Sequence, residues 1–369
     1  LMINIAASPF DYNQVEKRNS ILGRNTRRYG IPLLYVNHVG AQTEIIFDGG
    51  SLAMNAKGEV THQMKYFEED FSVVDLAETA ASESAGTTSS KTERMHRALV
   101  LGIRDYFRKQ SFSKAILGLS GGIDSALVTC LAAEALGKEM ILPVLMPSQY
   151  SSESSVVDSI ALCKNLGLSY EIIPIEKVYA TYIDILKSPF KGMPAGIAEE
   201  NIQARIRGML LMAMSNKFGH ILLNTSNKSE IAVGYGTLYG DMCGGLSVIG
   251  DVYKTEVYEL SEHINRSGEK IPKAIISKAP SAELRPGQKD TDSLPEYTVL
   301  DPILFQYIEQ RKGPHEIIDA GYDAALVKRI LKLVNTNEYK RYQTPPILRL
   351  SQKAFGQGRR LPIVGKYLS

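Results

Sequence analysis

The stretch Ile116-Leu117-Gly118-Leu119-Ser120-Gly121-Gly122-Ile123-Asp124-Ser125 decides the fold of this 369-residue chain. The apolar run from Ala115 to Leu119 predicts a short buried strand. The two glycines then turn the chain into a helix that stops at Gly137. Backbone N–H groups converge in such a turn, and the first helical turn carries a partial positive charge. The stretch therefore predicts an anion-binding loop, although no lysine follows the glycines as it does in a Walker A loop.

The composition is that of an ordinary globular protein, with 44% hydrophobic residues and room for two domains. A net charge of +2 gives no reason to expect nucleic acid or an anionic membrane as a partner. Cys130, Cys163 and Cys243 have no paired spacing, so we expect neither a disulfide framework nor a zinc site. With no apolar run long enough to span a membrane, the sequence predicts a cytoplasmic protein.

The pattern along the chain predicts two domains. Residues 1–80 mix strand patterns with a helical pattern at 13–29, and they end in hairpin signals. The small, polar stretch 81–91 is predicted to be a linker. Because the chain begins in a continuous apolar run that is typical of an interior strand, we expect that an upstream part is missing from this sequence.

Residues 92–369 alternate between strands and helices, which predicts a doubly wound parallel sheet with right-handed crossovers. Further strands are predicted at 140–146, 170–173 and 220–225, with a long helix at 197–217. Ligands bind beyond the carboxyl ends of the strands in such sheets, where residues 120–125 are expected to lie. The segment 282–297 mixes proline, glycine and charged residues, and we interpret it as a mobile lid.

The motif Ser-Gly-Gly-x-Asp-Ser at 120–125 resembles the pyrophosphate loop of the ATP pyrophosphatases, which cut ATP between its α and β phosphates. Two blocks, Asn-Lys-Ser-Glu at 227–230 and Gly-Tyr-Gly-Thr-Leu-Tyr-Gly-Asp at 234–241, are similar to the signature of NAD synthetases. The segments 278–286, 294–301 and 353–360 carry the same resemblance, which covers nearly all of 92–369. It implies a Rossmann-like ATP pyrophosphatase fold.

The first 80 residues resemble the C-terminal part of a nitrilase-like glutaminase domain, through the phrases at 4–10, 35–40 and 47–51. This resemblance implies a partial αββα domain at the N-terminus. In that family a Glu-Lys-Cys triad hydrolyses an amide, and the cysteine comes shortly before the strand that matches residues 3–7. No cysteine precedes Cys130 here, so the sequence as given cannot supply an active glutaminase.

The resemblance to NAD synthetases implies an ATP-dependent amidation of nicotinate adenine dinucleotide to NAD, through an adenylated intermediate. AMP and pyrophosphate would be released, and glutamine hydrolysis would normally supply the ammonia. The catalytic residues implied are Lys254 and Asp124, with Mg²⁺ held by Asp124 and Glu230. The residues implied in ATP binding are Ser120, Gly121, Gly122, Asp124, Ser125, Thr225 and Ser281. Those implied in dinucleotide binding are Asn201, Arg205 and Asp241. Because members of the family dimerise through this domain, the resemblance also implies at least a homodimer.

Other functions stay open at this level. A GMP-synthetase-like amidotransferase would lack the two signature blocks, and a tRNA-thiolating enzyme would need reactive cysteines beyond the loop. A catalytically dead nucleotide-binding module would be expected to lose Asp124 and Glu230, which are both present. Residues 1–80 could also act as a docking platform alone.

Overall fold

The computed structural model describes residues 1–75 and 89–365. Contacts divide the chain into two units, residues 1–110 with 348–352 and residues 111–347 with 353–369. Most of the predicted linker, at 81–88, lies outside the described residues. A helix is present at Lys91–Lys109, and its contacts group it with the first unit, although nearly all of it lies in the predicted second domain. The domain boundary at 92 therefore stays a prediction.

The first unit contains a mixed four-stranded sheet and a separate hairpin. Within residues 1–75 and 89–110 its elements are β1 (Met2–Ala6), α1 (Gln14–Tyr29), β2 (Leu33–Asn37), β3 (Val39–Gln42), β4 (Ile45–Asp48), β5 (Leu52–Met54), β6 (Val60–Gln63) and α2 (Lys91–Lys109). The sheet order is β1-β2-β5-β6, with β1 and β2 parallel, while β3 and β4 form the antiparallel hairpin. Strands β3 and β6 have four residues each and are partly buried, and such short strands carry little periodicity.

Helix α2 belongs with this unit because it packs on the hairpin. The buried Asp105 carboxylate accepts the backbone N–H of Ala41 at 2.7 Å, and Lys109 Nζ donates to the Ala41 carbonyl at 2.6 Å. Periodicity can indicate that a helix buries one face, but it does not show which sheet that face covers.

The second unit is built on a five-stranded sheet in which every strand is parallel. Its elements begin with β7 (Lys114–Gly118), α3 (Ile123–Leu136), β8 (Ile141–Leu145), α4 (Glu153–Leu166), β9 (Glu171–Ile172), α5 (Glu176–Leu186), α6 (Ile197–Phe218) and β10 (His220–Asn224). After β10 come α7 (Lys228–Val233), β11 (Leu246–Ser247), α8 (Lys254–Asn265) and α9 (Lys273–Ser277). The strand order is β11-β10-β7-β8-β9, with parallel pairing throughout. The predicted doubly wound parallel sheet is confirmed.

The end of the second unit is helical. It contains α10 (Tyr297–Ile308), α11 (Pro314–Asp319), α12 (Ala324–Thr336) and α13 (Glu338–Arg341). These helices bury an apolar core that also includes α7, through Ile231, Ala232 and Val233. The short helix α7 therefore connects the sheet to the helical layer. None of the helices in the described ranges is long and apolar enough to cross a membrane.

Candidate active site

The connectivity of the sheet creates a crevice between β7 and β10. From the central β7 the chain proceeds to β8 and β9 on one side, and then it returns to add β10 and β11 on the other. Ligands of open α/β sheets bind outside the carboxyl ends of the strands at such a reversal of strand order. A cavity of about 290 Å³ lies there, lined by the loops that follow both strands.

The loop Ser120–Ser125 after β7 is held by its own side chains. The Ser120 and Ser125 hydroxyl oxygens are 3.2 Å apart, and Ser125 Oγ donates to the Gly122 carbonyl at 3.0 Å. Gly121 has φ of +80°, and a Cβ there would lie 2.5 Å from the Ser155 carbonyl oxygen. The loop thus needs glycine for its conformation and for its close packing. Gly122 is the N-cap of α3 and no side chain caps this helix within the described residues, as an anion site requires.

Asp124, Glu230 and Lys254 form a charged cluster in the cavity. Lys254 Nζ donates to Asp124 Oδ2 and is almost completely buried. Burial lowers the pKa of Lys254, but the carboxylates of Asp124 and Glu230 outweigh it and hold this pKa above its ordinary value. Burial, followed by repulsion from Asp124, raises the pKa of Glu230 well above its ordinary value. This cluster therefore has one cation and two carboxylates that repel each other.

The Asn-Lys-Ser-Glu motif at 227–230 organises this cluster. Asn227 caps α7 by accepting the Glu230 N–H at 2.9 Å, and the Glu230 carboxylate accepts the Asn227 N–H at 3.2 Å, in a capping box. The Asn227 amide also donates to Asp124 Oδ1 at 2.9 Å. One asparagine thus fixes both carboxylates, a role that the sequence alone did not indicate.

The two middle residues of the motif, Lys228 and Ser229, attach α7 to neighbouring elements of the second unit. Lys228 is fully buried and pairs with Asp251 at 2.7 Å and with Glu309, the residue that follows α10. Ser229 Oγ donates to Asp301 of α10 at 2.6 Å and accepts the Lys254 N–H at 2.9 Å. Lys254 opens α8 after the N-cap residue Tyr253.

The remaining residues implied in ATP binding both line the cavity. Thr225 follows β10, and Ser281 belongs to the segment after α9. The Ser281 hydroxyl, however, is used within its own segment: it donates to the Gln288 carbonyl at 2.6 Å and accepts the Glu283 N–H at 3.1 Å. In this structure Ser281 is near the site with its hydroxyl already partnered.

The residues implied in dinucleotide binding divide into two groups. Asp241 lines the cavity, and its Oδ1 accepts the Thr237 N–H at 2.5 Å. Asn201 and Arg205 of α6 do not line it: Asn201 Oδ1 accepts the Thr237 hydroxyl at 2.8 Å, and Arg205 Nε donates to the Leu238 carbonyl at 3.2 Å. The structure thus shows them holding the loop that carries Asp241.

The sequence reasoning missed four charged residues of the cavity: Arg207, Lys278, Glu283 and Asp290. Burial lowers the pKa of the Arg207 guanidinium to about 10, and its Nε donates to the Met146 carbonyl at 3.0 Å. Asp290 accepts the Tyr297 hydroxyl at 2.9 Å. The only available signal was helical phase, since Arg207 is two residues from Arg205 and projects from a different face of α6.

The cysteines are not set up for reaction. Burial raises the pKa of both Cys163 and Cys243 to about 11, and that of Cys130 to about 12. Reactive thiols have lowered pKa values, so a thiolating mechanism is not supported.

The ATP pyrophosphatase class has the arrangement seen here. A phosphate-binding loop lies at a helix N-terminus next to a lysine and two carboxylates, at the point where the strand order reverses. The NAD synthase family model matches residues 95–344. The chain belongs to the NAD synthase family, whose members are ligases, as the sequence predicted.

Known proteins agree with this placement. The glutamine-dependent NAD(+) synthetase of Synechocystis sp. is 50% identical over 367 residues, covering 98% of this chain and 66% of the relative. That of Thermotoga maritima is 44% identical, covering 100% of this chain and 70% of the relative. The structure of glutamine-dependent NAD+ synthetase from Acinetobacter baumannii with ADP aligns with a TM-score of 0.69 at 38% identity, covering 99% of this chain and 68% of that one. The chain spans about two thirds of the length of these relatives.

Proposed function

We propose that this chain carries out ATP-dependent amidation of nicotinate adenine dinucleotide to NAD through an adenylated intermediate, with release of AMP and pyrophosphate. The observation that carries the proposal is the position of Lys254 against Asp124, beside the Ser120–Ser125 loop. A carboxylate substrate and ATP are both anions, so the site that joins them must reduce their repulsion. A buried lysine above a helix N-terminus is suited to that task.

The residues present fit the Mg²⁺ ion that this chemistry normally uses. Asp124 and Glu230 raise each other's energy when both are charged, and a divalent cation between them would remove that penalty. Within the described residues no group of three or more His, Cys, Asp or Glu side chains could hold a metal. Asp124 and Glu230 supply two carboxylates, and Mg²⁺ usually takes one or two carboxylates and completes its shell with phosphate oxygens and water. When bound, Mg²⁺ would neutralise phosphate charge.

The chain's own residues would then act by binding and positioning. Ser120, Ser125 and the N–H groups at the start of α3 would hold the pyrophosphate as it leaves. Lys254 would stabilise the charge that builds on the phosphates. The substrate carboxylate is itself the nucleophile that attacks the α-phosphate, and ammonia attacks the resulting anhydride. The site therefore needs neither a catalytic cysteine nor a histidine. It must, however, exclude water, which would hydrolyse the anhydride.

The nitrogen source and the assembly are further parts of the proposal. The relatives are named as glutamine-dependent enzymes, and residues 1–80 resemble part of a nitrilase-like glutaminase, so glutamine is proposed as the ordinary source of ammonia. A homodimer or a larger homo-oligomer is proposed from the resemblance to NAD synthetases. We place the enzyme in the cytoplasm.

A direct assay tests the reaction. The chain is incubated with nicotinate adenine dinucleotide, ATP and Mg²⁺, with ammonium in one series and glutamine in the other, and NAD and AMP are followed. Formation of NAD and AMP in equal amounts with ammonium is the expected result. AMP without NAD, or no AMP at all, would reject the proposed reaction, and the glutamine series reports separately on the nitrogen source.

A further inference from the structure

The Glu283 carboxylate lies in the wall of the substrate cavity, at the N-terminus of α4. Its Oε1 accepts hydrogen bonds from Lys278 Nζ at 2.8 Å, from Ser155 Oγ at 2.8 Å and from Ser152 Oγ at 3.0 Å. The Ser152 backbone N–H approaches Oε2 at 3.4 Å. Although burial raises the pKa of Glu283, these bonds outweigh it and hold the pKa below its ordinary value. Glu283 is therefore a firmly held anion.

The groups around Glu283 are those that proteins use to hold phosphate. A lysine, two serine hydroxyls and the first turn of a 14-residue helix converge on one point. The Arg207 guanidinium adds an attractive interaction with Glu283. We call Lys278, Ser152, Ser155 and Arg207 the anion cradle. The cradle adjoins the Ser120–Ser125 loop, because Gly121 packs directly against Ser155.

The segment that carries Glu283 is also the one that keeps Ser281 occupied. Glu283 has φ of +48°, a left-handed conformation that residues with side chains rarely adopt. In that conformation its N–H donates to Ser281 Oγ, and Ser281 in turn donates to Gln288. On the far side, Gln203 Nε2 donates to the Leu284 carbonyl at 2.8 Å. The carboxylate and the inward-turned hydroxyl therefore belong to a single loop conformation.

We propose that Glu283 is a latch that occupies a phosphate position in the anion cradle, and that a phosphate group of the nucleotide displaces it. Displacement frees the 278–290 segment, so that Ser281 can turn towards the ligand. Two anions compete for one cradle, so the latch weakens nucleotide binding and couples it to movement of the segment. The inference rests on the proposed function for the source of the phosphate, which is either ATP or the product pyrophosphate.

Calorimetry on the full chain tests the latch with two probes, inorganic pyrophosphate with Mg²⁺ and ATP with Mg²⁺, in the absence of dinucleotide. Glu283→Gln keeps the size and the acceptor oxygen of the side chain but removes its charge. The matched control is Glu153→Gln, because Glu153 is an exposed residue in the first turn of the same helix and does not line the cavity. We expect Glu283→Gln to bind at least one probe about tenfold more tightly, within the ordinary range of coupling between sites, and the control to match the wild type.

The two arms identify the phosphate source. Tighter binding of pyrophosphate alone assigns the cradle to the product, and tighter binding of ATP assigns it to the substrate. Unchanged or weaker binding of both probes by Glu283→Gln would overturn the latch. That failure is distinct from a failure of the proposed function, which would appear in the wild type as an absence of NAD formation.

Hydrogen exchange supplies a second readout that does not depend on ligand affinity. Without any ligand, the amides of residues 281–288 are expected to exchange at least about tenfold faster in Glu283→Gln than in the wild type. The amides of β7 and β8 should be unchanged, which shows that the variant is folded. Equal exchange of the 281–288 segment in both proteins would also overturn the proposal.

Discussion

Lys254 can be distinguished from an ordinary structural lysine by replacing it with methionine, which has a similar length and no charge. In the wild type its ammonium contacts Asp124 and faces Glu230 across a solvent-accessible cavity. Loss of one fixed charge-stabilising group in an active site costs about 2.7–4 kcal/mol in the transition state, so kcat for AMP formation should fall about 100- to 1,000-fold. The fold should lose less than about 2 kcal/mol, because Glu230 already has a raised pKa and can take up a proton instead.

Lys228→Met is the matched variant, since Lys228 is also a buried lysine paired with carboxylates but does not line the cavity. The Lys228 ammonium is fully buried between Asp251 and Glu309. Breaking a buried ion pair from one side costs about 3–5 kcal/mol. With a urea m-value of about 2–3 kcal/mol/M, the midpoint of unfolding should fall by about 1–2.5 M.

Urea titrations followed by circular dichroism, together with AMP production, measure both effects in both variants. The two variants should differ clearly. Lys254→Met should lower activity while the fold stays stable, and Lys228→Met should lower stability. If Lys254→Met lowered the urea midpoint as far as Lys228→Met does, or kept more than about a tenth of wild-type kcat, the assignment of Lys254 to the chemistry would be refuted.

Three further outcomes are expected. Asp124→Asn should abolish AMP production while circular dichroism shows that the fold survives; near-normal AMP production would count against the metal assignment. Gly121→Ala should raise KM for ATP at least about tenfold, because the new Cβ would meet the Ser155 carbonyl at 2.5 Å, and an unchanged KM would show that the loop adapts. Burial raises the pKa of Asp301 to about 6, above an unfolded value near 3.9, so its contribution to stability is present below about pH 4 and is lost as pH rises through 6. The decline of the urea midpoint over that interval, worth up to about 3 kcal/mol, should be absent in Asp301→Asn, and an identical decline in both proteins would contradict the assignment.

Much of the second unit could be predicted from the sequence because its signals are local. The strand at β7, the glycine turn and the helix α3 follow from an apolar run, two glycines and a helical pattern that ends at Gly137. The long helix predicted at 197–217 is present at Ile197–Phe218. By contrast, β11 is a two-residue strand, and its place in the sheet depends on its partner β10. No window of residues around it carries that information.

The site was harder to predict, because it depends on which face of an element meets the cavity. Asn201 and Arg205 lie four residues apart on α6, and both hold the neighbouring loop, while Arg207 reaches the cavity. Likewise, Asn227 could be recognised as part of a motif, although its bond to Asp124 joins residues 103 positions apart. Such contacts are set by the packing of elements, which periodicity does not encode.

The short helix α7 has a consequence for how mutations far from the cavity will act. A six-residue helix has almost no stability of its own, and α7 is held through successive side chains that lead to Asp124, to Asp251 and to α10. The distance between the Asp124 and Glu230 carboxylates therefore depends on the helices at the end of the second unit as well as on the sheet. A substitution that shifts α10 by a fraction of an ångström would change the distance between these carboxylates and so lower the catalytic rate, even though the substituted residue lies outside the cavity. Thermal inactivation should accordingly begin in the helices, with the sheet still intact.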